Sequence, residues 1–185
     1  VLTEASKITG KIVSALDEAP IEKVMVRAFR KRDDNGEWDR SSWVNFALSR
    51  SDGTYDLNLP EGAYLLEFYA DENKYEFKAI ETPILISRSA PITINESLRL
   101  TQTISAFAPI DNKMYGDPVF TVIAPTAKSG LPVTLSIKSG PAEISGNTVT
   151  ITGVGTVVIA ANQAGDAIYN AASEVTTASW FRKER

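Results

Sequence analysis

Carboxylates and aromatic rings are the side chains here with types and spacing suited to chemistry. Among 185 residues there is no His and no Cys. That removes the commonest general base, imidazole metal ligands, thiol nucleophiles and disulfides. Asp33, Asp34, Glu37 and Asp39 crowd one short segment and could offer oxygen ligands to Ca²⁺. An EF-hand loop needs Gly at its sixth position and Glu at its twelfth, and this segment has neither. The simpler account is a polar hairpin tip that keeps a sheet edge soluble. Asp52 with Asp56, or Glu61 with Glu67, has the form of a glycosidase pair. That chemistry needs two carboxylates ~5–10 Å apart in a cleft, one with a raised pKa. Asp52 sits in a turn signature that accounts for it fully.

No phosphate-cradling G-x-x-x-x-G-K loop, dinucleotide fingerprint or G-x-S-x-G elbow is present. No cofactor is implied. The aromatic side chains offer more. Trp38, Trp43 and Phe29 lie on or near one hairpin, with Arg27 close by. Exposed rings of this kind stack on sugars or anchor protein interfaces. They form the candidate ligand or partner surface.

The elements that must position them are strands. Lys7-Ile8-Thr9-Gly10-Lys11-Ile12-Val13 reads as a first strand and Val24 to Phe29 as a second. Trp43 to Ser49 reads as a third, with Val44, Phe46 and Leu48 on one face. A three-residue loop on Asp34-Asn35-Gly36 pairs residues whose numbers sum to 70. Val26 then faces Val44, Val24 faces Phe46, and the two apolar faces coincide toward the core. The same register sets Arg27 opposite Trp43 on the non-core face, with Phe29 on that side too, in reach of a cation–π contact. Tyr55, Leu57 and Leu59, then Tyr64, Leu66 and Phe68, alternate around Pro60-Glu61-Gly62, which reads as a hairpin. Tyr75 to Ile80, Ile84 to Ile86 and Ile92 to Leu100 complete the first half.

After about Leu100 the turns come every 6–14 residues, at Tyr115-Gly116-Asp117-Pro118, Ser129-Gly130-Leu131-Pro132, Ser139-Gly140-Pro141, Ser145-Gly146-Asn147 and Gly153-Val154-Gly155. Such spacing predicts a β-sandwich. The chain is therefore expected to be all-β, two tandem β-sandwich domains over 1–100 and 101–185. No Pro/Gly/Ser linker separates them, and so short a junction suits a rod or spacer.

A hydrophobic fraction of 43% with 23% charge is that of a folded chain. The net charge of −4 argues against nucleic acid. Arg27, Arg30, Lys31 and Arg32 cluster, but acidic residues follow at once, which reads as a solvated hairpin. No apolar run approaches the ~20 residues of a membrane span, so no membrane insertion is expected. The chain begins at Val1 without Met, which reads as a processed or excised product.

Ile8-Thr9-Gly10-Lys11-Ile12-Val13, Val24-Met25-Val26, Ser51-Asp52-Gly53-Thr54-Tyr55 and Leu59-Pro60-Glu61-Gly62-Ala63-Tyr64 together resemble the carboxypeptidase regulatory-like modules. These are relatives of the transthyretin and collagen-adhesin B-type folds, and the resemblance covers roughly residues 6–100. Some adhesin B-type modules carry a Lys–Asn isopeptide crosslink, which would cast Lys7 or Lys11 with Asn95. The terminal strand here lacks that family's Thr-Asn ending.

Gln102-Thr103-Ile104, Ser129-Gly130-Leu131-Pro132-Val133, Gly146-Asn147-Thr148-Val149-Thr150, Gly155-Thr156-Val157 and Gln163-Ala164-Gly165-Asp166-Ala167-Ile168-Tyr169-Asn170-Ala171-Ala172 resemble bacterial immunoglobulin-like repeats of large surface and secreted proteins. This resemblance implies that Tyr169 closes one end of the sandwich. Alternation continues to Trp180-Phe181 as a final strand.

The resemblances imply a non-catalytic structural, spacer or adhesive module pair of a bacterial cell-surface or secreted protein, extracellular in location. Its partners would be other protein modules or subunits, including its own kind, met through sheet edges. The competing reading is a carbohydrate-binding accessory pair of a secreted degradative enzyme, holding glycans through Trp43 and Trp38.

Overall fold

The structure is a computed structural model that describes residues 6–30, 38–41, 43–87 and 91–183. It is all-β: no helix occurs among the described residues. The chain divides into two compact units, Val1–Thr101 and Gln102–Arg185.

The first unit holds β1 (Ser6–Ser14), β2 (Met25–Arg30), β3 (Asn45–Leu48), β4 (Thr54–Leu59), β5 (Gly62–Tyr69), β6 (Lys78–Ile86), β7 (Ile92–Thr93) and β8 (Glu96–Leu98). One sheet runs β3-β2-β5-β6. In the other, β1 lies between antiparallel β4 and the short parallel pair β7 and β8. Alternation builds the core between them. Ile8, Ile12, Tyr55, Leu57 and Leu59 from one sheet meet Val26, Ala28, Tyr64, Leu66 and Phe68 from the other. Tyr55 and Phe68 pack edge to face at 6.2 Å.

Three expectations are corrected here. The Pro60-Glu61-Gly62 turn does not close a hairpin. It carries the chain from one sheet to the other, since β4 pairs with β1 and β5 pairs with β2 and β6. The Tyr64 hydroxyl donates to the Pro60 carbonyl at 3.0 Å and pins that corner. The apolar residues of β4 and β5 thus become opposite walls of the core. Next, the segments expected on either side of Thr82-Pro83 form the single edge strand β6, with a shift in register between Tyr64 and Leu66 of its partner. Proline and a bulge are tolerated at an edge. The last expected strand, finally, is two short strands broken at Ile94-Asn95. There the Asn95 side-chain carbonyl accepts the Lys11 backbone N–H at 2.9 Å, standing in for a ladder bond. Lys7 places its ammonium 2.9 Å from Asp56.

Gly10 is required where β1 passes this break. A Cβ there would sit 1.7 Å from the Ile94 carbonyl oxygen.

In the second unit β9 (Lys113–Met114), β11 (Thr134–Ser139), β14 (Gly155–Asn162) and β15 (Val175–Arg182) form one sheet, in the order β11-β14-β15-β9. The other is β10 (Phe120–Thr121), β13 (Thr148–Ile151) and β12 (Ala142–Ser145), in the order β10-β13-β12. Val149, Val157, Ile159 and Phe181 are buried between them. Gln102, at the start of the unit, is buried and donates to Gln163 Oε1 and to the Asn170 carbonyl, while Ser129 donates to Gln102 Oε1. This network fixes the 163–170 loop. Tyr169 in that loop is half-buried, with its backbone N–H bonded to Asp166.

Two measurements check this fold. Gly10→Ala forces β1 away from Ile94 and should cost about 3 kcal/mol in chemical denaturation; a change below about 0.5 kcal/mol would contradict the packing. Burial raises the hydroxyl pKa of Tyr55, Tyr64 and Tyr69 above the ordinary tyrosine value. Their stabilising contribution is present below about pH 10 and is lost as pH rises through that value toward the folded-state pKa. The first unit should therefore lose stability in alkaline titration, in step with tyrosinate absorbance.

Candidate binding surface

The expected register of β2 with β3 is overturned. Met25 pairs with Leu48, Val26 with Ala47, Arg27 with Phe46 and Ala28 with Asn45, so paired numbers sum to 73. The cause is Ser49, which is buried. Its hydroxyl donates to the Ile21 carbonyl at 2.7 Å and accepts the Val24 N–H at 2.8 Å, and its own N–H bonds the Val24 carbonyl. Val24 is thereby locked opposite Ser49, and Ala47 turns to the core. An odd shift moves every side chain to the other face. Val44, Phe46 and Leu48, expected inside, are 45%, 48% and 50% exposed.

The outer face of the β3-β2-β5-β6 sheet therefore carries Phe46 and Leu48, then Met25 and Arg27, then Leu65, Glu67 and Tyr69. Trp43 reaches the same face past an irregular end of β3. There the Val44 N–H donates to the Ala28 carbonyl, although Ala28 pairs with Asn45.

Across this face runs a row of rings and one cation. Arg27 stacks on Trp43 at 4.5 Å and on Tyr69 at 4.3 Å, and Tyr69 meets Phe77 at 4.9 Å. The expected contact between Arg27 and Trp43 is therefore present, although Phe46 and not Trp43 is the cross-strand partner. Under the row lies Glu67, only 4% exposed. Tyr69 donates its hydroxyl to one Glu67 oxygen at 2.6 Å, and Arg40 lies 3.2 Å from the other. Arg40 also bonds Glu81 at the edge of the sheet. Burial, followed by the Glu67 carboxylate, holds the Tyr69 hydroxyl above its ordinary pKa.

Of the four residues expected at the surface, Arg27 and Trp43 come together, Trp38 is half-buried and Phe29 is buried. Phe29 pairs directly with Leu65, also buried, on the outer side of the sheet. Asp33, Asp34 and Glu37 lie outside the described residues. Asp39 accepts both the N–H and the hydroxyl of Ser41, and no group of metal-ligating side chains occurs among the described residues. Tyr69 and Phe77 were missed, and Glu67 was weighed only as one of a catalytic pair. Their signal was parity: Leu65, Glu67 and Tyr69 fall out of step with Tyr64, Leu66 and Phe68.

The edges of this sheet are guarded. Asn45 accepts the neighbouring Phe46 N–H and donates to the Asn58 carbonyl of β4, and β6 contains Pro83. The carboxylates weighed for catalysis are held as well. Thr54 bonds Asp52, and Lys7 and Arg50 flank Asp56.

Tyr69→Phe removes one of the two side-chain partners of a buried carboxylate. It should cost about 1–2 kcal/mol in denaturation, while Phe77→Ala, at an exposed ring, should cost less.

No protein-family model and no curated protein matches the chain. Among solved structures it is similar to the Bacillus anthracis TIE protein, at 10% identity and a TM-score of 0.43, covering 98% of this chain and 34% of that one. The chain thus spans about a third of that protein's length. It is similar to BcpA, the major pilin subunit of Bacillus cereus, at 8% identity and a TM-score of 0.45, covering 95% and 69%. A DUF3823 family protein from Parabacteroides merdae gives 8% identity and a TM-score of 0.38, covering 97% and 100%. These are loose likenesses.

Proposed function

We propose that this chain is a non-catalytic structural or adhesive module pair of a bacterial cell-surface or secreted protein, and that the outer face of the first unit's four-stranded sheet docks a second copy of the chain. The observation that supports it is the exposure of Trp43, Val44, Phe46 and Leu48, each about half open to solvent on β3 and the residues just before it. Together they expose on the order of 400 Å² of apolar surface, the size at which a patch on a monomer is commonly functional. An apolar stripe is its own complement across a two-fold axis. Asn45 and Pro83 argue for face-to-face contact in place of the expected edge pairing.

Sedimentation of the whole chain over a concentration series into the millimolar range tests this. The wild type should self-associate, and Phe46→Ser/Leu48→Ser should remain monomeric with its fold retained. A wild type that stays monomeric throughout overturns self-docking. Saturable quenching of tryptophan fluorescence by soluble glycans, lost in Trp43→Ala, would put the carbohydrate-binding reading in its place. Arg27 over the Trp43 ring weighs against that outcome, because it already engages the ring that a sugar would stack on.

A further inference from the structure

At the far end of the aromatic row, the first unit has a hollow of about 230 Å³ lined by Tyr69, Ala70, Glu72, Tyr75 and Phe77. Three of its five walls are aromatic. Phe77 is 52% exposed, and its ring is tilted 50° to that of Tyr69, so the two form an open angle. Tyr75 is 8% exposed and fixed in place, its backbone bridging to Leu100. Glu72, exposed, adds a carboxylate to a rim that is otherwise ring and methyl.

The face of an aromatic ring carries partial negative charge, and several rings around one space attract a cation. This region already shows the preference twice. Arg27 stands over Tyr69 at 4.3 Å from the β2 side, and the Lys74 ammonium stands 5.0 Å from the Tyr75 centroid. Neither cation is a wall of the hollow. The volume suits a few heavy atoms around one nitrogen. Size alone would also admit a benzene-sized ring, so the selection of a cation rests on the aromatic walls and on Glu72.

We propose that this hollow is a receptor for an alkylammonium group, supplied by a lysine side chain of a polypeptide partner. Tyr69, Tyr75 and Phe77 surround the ammonium and its neighbouring methylenes, and Glu72 balances the charge. The lysine source rests on the protein-docking reading above. The preference for a cation over a neutral group does not.

Titration of the whole chain, followed by two-dimensional NMR of the aromatic ring protons, tests both parts. The probes are choline, its neutral isostere 3,3-dimethylbutan-1-ol, and N-acetyl-lysine methylamide. Choline and the lysine derivative should shift the rings of Tyr69 and Phe77, with the isostere about two- to fivefold weaker. Phe77→Ala and Glu72→Gln should each weaken both cations by a similar factor. Lys74→Gln, which removes a competing local charge, should leave the affinity unchanged or raise it. Equal binding of choline and the isostere, or no ring shift with any probe, overturns the receptor. Binding of choline without the lysine derivative overturns lysine as the source and points to a small quaternary ammonium. Self-association is read separately by sedimentation, so failure of the docking reading does not imitate failure of the receptor.

Discussion

One buried hydroxyl governs the first unit's surface. Ser49 bonds the Ile21 carbonyl and the Val24 amide, and with them it sets the phase of β3 against β2. The exposure of Phe46 and Leu48 follows from that phase. A shift by one residue would bury Phe46 and Leu48 and turn Ala47 outward. An isolated buried hydroxyl would be a liability of a few kcal/mol. With both a donor and an acceptor satisfied, Ser49 makes the wrong register the costly one.

The phase has a visible cost, because it places large apolar side chains in water while a small alanine points inward. Hydrophobic burial alone would favour the opposite arrangement by about 1 kcal/mol for each large, half-exposed side chain. Beneath the same face, Glu67 is almost fully enclosed yet keeps a partner on each oxygen. The fold thus satisfies its buried carboxylate while leaving an apolar stripe open.

Much of the fold was legible in the sequence because it is local. Alternation marks β1, β2, β4, β5 and β15, and Gly-containing turns mark the second unit's strand ends. The partners of those strands were less legible. Tyr55-x-Leu57-x-Leu59 and Tyr64-x-Leu66-x-Phe68 read the same way as two arms of a hairpin or as facing walls of two sheets, and only the corner at Pro60 decides. Ser49 looked like the polar end of a strand, so nothing nearby announced that it was an anchor. Of the expected surface, Arg27 came from the parity of β2, while Trp43 reaches it only because the irregular end of β3 undoes the shift in register. Phe29 did not survive as surface, since Leu65 beside it helps to enclose it. Tyr69 and Phe77 belong to segments brought in by β5 and β6, and no short-range pattern joins them to Trp43.

The pairing of β1 with β7 and β8 has a mechanical meaning. These strands run parallel, so the start of β1 and the end of β8 point out of opposite ends of the same ladder. Tension applied between the two ends of the unit pulls neighbouring strands past each other. The bonds between β1 and both short strands, with the Asn95 bridge between them, then bear load together and do not open one at a time. A hairpin-type closure of antiparallel terminal strands would unzip from one end under the same pull. For a module strung between others, that difference separates a link that yields gradually from one that holds until it shears.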